Sequence, residues 1–165
     1  MPTEKQDYVL RLIEELGRLI AEIVNLRQRG SYDTALQMVL QAQQRLFGRP
    51  AEAFIGRSID DQVHLLVVGE NPANARAKCV AYATLLTEAA GIYQAREQTA
   101  LAGAACQWAL QVLIAVRAGP GDAQVSALAA RLGALLDRLP EDPLIRETKA
   151  LIPQTGAQVD PDAPA

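Results

Sequence analysis

The sequence predicts an all-α fold built of antiparallel helical hairpins. Three observations carry that expectation. Half of the 165 residues are hydrophobic but only 4% are aromatic, because Ala and Leu dominate, and both favour helix. Apolar residues recur three and four apart, the spacing of one helix face, and period-2 runs of β-branched residues are few. Glycine and proline then cut the chain into helix-length pieces at 30, 48–50, 118–122 and 139–143. Helices joined by such short turns must pack antiparallel. The length suits one domain with a real core, expected over residues 1–152. The segment from Pro153 to 165 has little to bury and is expected to be disordered.

The first helix is expected over about residues 4–29, with Thr3 and Gln6 at capping-box spacing. Val9, Leu12, Leu16, Leu19, Ile23 and Leu26 form its apolar stripe, and Ile13 and Ile20 widen it. Arg11, Glu15, Arg18 and Glu22 on the far side have the spacing of solvated ion pairs within the helix. Gly30 can take the left-handed conformation that ends a helix. A second helix is expected over 32–47, stopped by Gly48 and Pro50. A short one follows over 59–68, with Ser58 as its cap. Asn71 and Pro72 read as a cap and a first helical residue, opening a long helix to about 94. The next runs over 97–118. Its residues 98–116 carry no charge, and it reads as the central buried helix of a bundle, with Cys106 and Trp108 in the core. Further helices are expected over 122–138 and, in a turn or two, over 143–151.

Gly30, Tyr32, Ala35 and Ala42 stand where a tetratricopeptide repeat places its Gly, its Tyr and its two small Ala residues. The stretch therefore resembles such a repeat, although Val39 replaces the expected aromatic. "QDYVLRLIEELGRLIAEIVNLRQRG", followed by "YDTAL" and "RLFG", is also similar to the start of an uncharacterised bacterial family of small tetratricopeptide-repeat-like helical proteins. These resemblances imply a tetratricopeptide-like right-handed helical stack or bundle. They imply no activity.

The chemistry-bearing residues are sparse. The net charge of −3 is spread along the chain, and no basic stripe exists to meet phosphates, so nucleic acid is not an expected partner. The N-terminus lacks the unbroken apolar run of a secretory signal, and Gln98, Gln107 and Gln111 interrupt 98–116, so neither export nor a membrane span is expected, and the location is read as cytoplasmic. Cys79 and Cys106 form no CxxC and are offset too far in a hairpin to bridge. Asp61 and His64 share a helix face, but one histidine cannot build a di-metal site. Gly119–Gly121 follow no strand and lack the Lys and Ser/Thr of a phosphate loop. Ser31 and Ser58 read as caps rather than nucleophiles. No catalytic residue, cofactor or metal site is expected.

What remains is binding. The leading expectation is a protein-interaction module, tetratricopeptide-like, with an unknown partner. Arg18 and Asn25 on the first helix and Asn74 and Lys78 at i, i+4 on the third long helix are the candidates for gripping a partner's peptide. Two alternatives stay open. One is a structural homodimer, with the broad stripe of the first helix at its interface and no peptide groove. The other is a bundle that holds a small apolar ligand.

Overall fold

The computed structural model describes residues 4–116 and 122–156. Its α-helices are α1 (Glu4–Gln28), α2 (Tyr32–Phe47), α3 (Ile59–Val67), α4 (Pro72–Ala95), α5 (Thr99–Val116), α6 (Ala123–Asp137) and α7 (Pro143–Lys149). Short 3-10 turns at Ala51–Ala53 and Ile152–Thr155 complete the described structure, which contains no strand. Five long helices and two short ones agree with the expectation from periodicity. Thr3, and with it the capping box, lies outside the described residues, as does the 119–121 turn.

Local chemistry sets most boundaries. Gly30 has φ +77° and Gly48 φ +64°, the left-handed values that let a chain leave a helix without a Cβ clash. Asn71 accepts from the Asn74 N–H at 2.8 Å, Ser58 from Asp61 at 3.1 Å, and Asp142 from Ile145 at 2.8 Å, so each satisfies an N–H that its helix cannot. Asp122 caps α6 through both Gln124 and Val125. Ser31, expected to cap α2, makes no such bond. The turn between α4 and α5 has no glycine, and Glu97 takes φ +60° there.

α4 is the centre of the molecule. It packs against α1, α2, α3, α5 and α6, and every residue from Leu85 to Ile92 is buried. Asp33 at the start of α2 pairs with Arg96 just past α4, so α2 runs antiparallel to α4. Arg27 at the end of α1 reaches Glu88 near the end of α4. This corrects the expectation that the charge-free helix is central. α5 buries one side, including Cys106, Ala109, Leu110 and Leu113, but Trp108 is 42% exposed and is not in the core. An absence of charge permits burial and does not compel it.

The stripe on α1 is covered within one chain. Val9, Leu12, Leu16 and Ile23 are buried, and Ile13, Leu19, Ile20 and Leu26 are partly buried against the core. The stripe therefore supplies no reason for a second copy. Ala35 and Ala42 are fully buried where α2 meets its neighbours, as a close helix approach requires. Glu15 pairs with Arg45 on α2 at 3.0 Å and ties the first hairpin, rather than pairing along α1.

The packed unit extends past residue 152. Ile152–Thr155 packs on α5 and α6, and Thr155 is 2% exposed. The segment therefore has burial that its composition did not advertise. Residues 157–165 of the expected tail lie outside the described residues.

Candidate functional site

Three helix faces and one loop enclose an apolar cleft of about 370 Å³. α4 contributes Tyr82, Leu86, Ala89 and Tyr93, spaced four, three and four apart, hence on a single face. α2 contributes Leu36 and Leu40, and α5 contributes Leu101, Ala104, Ala105 and Trp108. The alanines leave the space, and the large residues form the walls. Ile55 and Gly56 line it from the loop after α2. The cleft opens to solvent where Leu101 is 49%, Ile55 55% and Trp108 42% exposed.

Its floor is a saturated polar knot. Gln62 is buried and donates from Nε2 to the Phe54 carbonyl at 3.0 Å and the Arg57 carbonyl at 3.3 Å. Its Oε1 accepts from the Tyr82 hydroxyl at 2.5 Å. Burial pushes the Tyr82 phenol above its ordinary range, so it stays protonated and keeps donating. Phe47 stacks on Phe54 at 4.2 Å and meets Tyr82 edge-on at 5.0 Å, which fixes the loop against α4. Both Gln62 amide hydrogens and its carbonyl oxygen are engaged, so the floor fixes shape.

The residues expected to grip a peptide are not gathered here. Arg18 and Asn25 are exposed on α1, while Asn74 and Lys78 are half-buried in the first turns of α4. Lys78 Nζ is held by Glu70 at 3.1 Å, and both side chains are nearly buried. Among the described residues, no hydrogen bond or ion pair joins Arg18 or Asn25 to the α4 pair. His64 and Asp61 are both exposed on α3, and no three His, Cys, Asp or Glu side chains among the described residues are grouped to hold a metal. Cys79 and Cys106 are free and buried, and burial pushes their thiols up to about 11 and about 12. They remain protonated at neutral pH and are poor nucleophiles.

One buried carboxylate stands apart from the cleft, on another side of α4. Glu88 is 1% exposed, accepts from Arg131 of α6 at 2.5 Å and lies 3.8 Å from Arg27 of α1. Its Oε2 has no hydrogen-bond partner. Gly91 makes room for Arg27, since a Cβ there would lie 2.8 Å from the guanidinium. Two arginines balance this charge and cross-link three helices.

Sequence reasoning missed the cleft. One signal was available: Gln107 and Gln111 at i, i+4 mark the side of α5 that reaches water, and Ala104 and Trp108 border that side. Comparisons with protein-family models, curated proteins and solved structures found no match.

Proposed function

We propose that this chain is a tetratricopeptide-like protein-interaction module without catalytic activity, and that it engages its partner through the cleft between α2, α4 and α5. The observation that carries the reading is the cleft itself: an apolar hollow whose mouth exposes Trp108, Leu101 and Ile55. Monomeric proteins seldom leave large apolar side chains clustered in water, and a concave site rimmed by an aromatic suits the apolar side chains of a docked helix. Supporting the tetratricopeptide-like part are the left-handed Gly30 turn and the buried Ala35 and Ala42 of the first hairpin. The polar grip first expected at Arg18, Asn25, Asn74 and Lys78 gives way to this apolar one, because Lys78 is already paired.

The test is a selection of random helical peptides displayed against the chain, with Ala104→Phe as the filled-cleft control. The expected outcome is enrichment of peptides with apolar residues at i, i+3, i+4 and i+7. They should perturb Trp108 fluorescence and lose binding to Ala104→Phe. No enrichment, or equal binding to the filled variant, defeats the reading. A second reading, a small apolar ligand, is favoured by the cleft's volume, which lies within the range of small-molecule pockets. An apolar dye that quenches Trp108 and is displaced by aliphatic ligands but not by any peptide would select it.

A further inference from the structure

Resting on the reading of this cleft as a protein-binding site, we infer that its partner anchors there with an aromatic side chain that carries a hydrogen-bonding edge, a tyrosine or a tryptophan on the apolar face of a helix. The deciding observation is polar. Gln43 and Tyr93 line the cleft and are half-buried. Neither the Gln43 amide nor the Tyr93 hydroxyl has a hydrogen-bond partner among the described residues. The floor differs, because there Tyr82 donates to Gln62. Solvent can reach Gln43 and Tyr93 while the cleft is open, and a docked helix removes that solvent. A wholly aliphatic occupant would leave an amide and a hydroxyl unpaired inside the interface, which weakens binding. An occupant with a phenol or an indole N–H gives them a partner.

The register of α2 on α4 sets both groups beside the hollow. Asp33 pairs with Arg96, and Phe47 meets Tyr82. In an antiparallel pair fixed at those two points, Leu40 lies level with Ala89, Gln43 with Leu86, and Leu36 with Tyr93. The hollow is at the Ala89 level, where the floor side chain is smallest. Along α4 the Gln43 level is about 4.5 Å from it and the Tyr93 level about 6 Å, at about 1.5 Å per residue. A ring seated over Ala89, with its edge along the cleft, therefore brings its polar atom towards one or the other. The lining narrows the choice of ring. Trp, Tyr and Arg are the side chains that most often anchor an interface. Among the described residues no carboxylate lines the cleft, so an inserted guanidinium would have no counter-charge. The two aromatic anchors are left. The Gln43 amide oxygen and the Tyr93 hydroxyl can each accept from a phenol O–H or an indole N–H.

The experiment measures the full chain by calorimetry against helical peptides selected for binding to it. The selected peptides should carry a tyrosine or a tryptophan on their buried face. Exchanging that tyrosine for phenylalanine, or that tryptophan for its benzothiophene isostere, removes only the donor and should weaken binding about tenfold. The double variant Gln43→Leu, Tyr93→Phe loses two groups that hold the fold through no side-chain hydrogen bond, and it should keep its circular dichroism. Against this variant the two peptides of each pair should bind equally. If it does not fold, the single variants carry the same comparison, and at least one of them should reduce the preference. Selected peptides without such an aromatic residue overturn the inference. So does equal binding of each pair to the wild-type chain, or a preference that survives in the double variant. In all three cases peptides still bind, and the protein-binding reading stands. A chain that self-associates and excludes every peptide has a second copy as its occupant, which also overturns the inference. A monomer that binds no peptide removes both the inference and the reading beneath it.

Discussion

α4 and α5 are neighbours in the chain and the most extensively packed pair in the fold, yet they reverse the usual relation between charge and burial. α4 carries Arg76, Lys78 and Glu88 and is enclosed by five helices, whereas α5 carries no charge and keeps one face open. The difference lies in what the neighbours supply. α1 and α6 bring arginines to Glu88, Glu70 meets Lys78, and Arg76 pairs with Asp122 at the start of α6. Each charge on α4 arrives inside with a partner or reaches outward. α5 needs no such provision, but the loop after α2 and the start of α3 stop short of covering it. Burial follows from the geometry of the surrounding elements, and composition sets only what that burial costs.

The sharpest way to break this contrast is to remove one of the arginines that let α4 be central. Arg131→Ala leaves Glu88 without its hydrogen bond and should destabilise the fold by about 3 kcal/mol, read by urea denaturation. A change below about 1 kcal/mol would mean that Arg27 alone suffices and that the network is not what admits Glu88.

The thiols test whether the inner side of α5 is as closed as α4. Cys79 on α4 and Cys106 on α5 are pushed up to about 11 and about 12 from an ordinary value near 9. At pH 8 reaction with a thiol reagent should be slower in the folded chain than in the unfolded one by about 100-fold at Cys79 and about 1000-fold at Cys106, since two and three pKa units remove that much thiolate. The folded state holds these protons more firmly. Its stability from this source is intact below about pH 9 and falls as pH rises from there through about 11 for Cys79 and about 12 for Cys106. If Cys106 labels quickly while Cys79 does not, α5 opens on both sides.

A smaller effect is expected at the turn that separates the two helices. Glu97 sits at φ +60° and is exposed, so Glu97→Gly should stabilise the protein by roughly 0.5–1 kcal/mol, visible as a raised Tm. The smallest is on the open face. Leu101→Ala should change folding stability by less than about 1 kcal/mol, measured at concentrations where the chain is monomeric. A larger loss would show that Leu101 belongs to the core.

Periodicity and turn chemistry made the helices legible. Gly30, Gly48, Asn71–Pro72 and the segment around Asp142–Pro143 each announce a boundary by a backbone requirement that few other residues meet. The α4–α5 turn was less legible because Glu97 does what glycine usually does, and the helix expected from 97 begins at Thr99. Spacing also placed Glu15 in a pair along α1, where Arg45 of another helix takes it. The cleft was not legible at all. It depends on Ala89, Ala104 and Ala105 meeting from two helices, and on Gln62 holding the 54–57 loop in place, and no local pattern encodes either contact. For Trp108 the expectation was a core position; Gln107 and Gln111 were the available counter-signal.

The short elements after α6 have a consequence for how the protein is made. Ile145 of α7 lies close over Gly103, where an added Cβ would be 3.0 Å from its Cδ1, and Ile152–Thr155 packs on α5 and α6. These covers leave the ribosome well after the helix they shield. α5 emerges first, an 18-residue helix of mean hydropathy 1.6, long and apolar enough by composition to pass for a membrane anchor. A chain truncated before Ile145 keeps that segment and lacks its cover. Such a truncation is expected to show itself as proteolysis or mistaken insertion into a bilayer before any loss of binding can be measured.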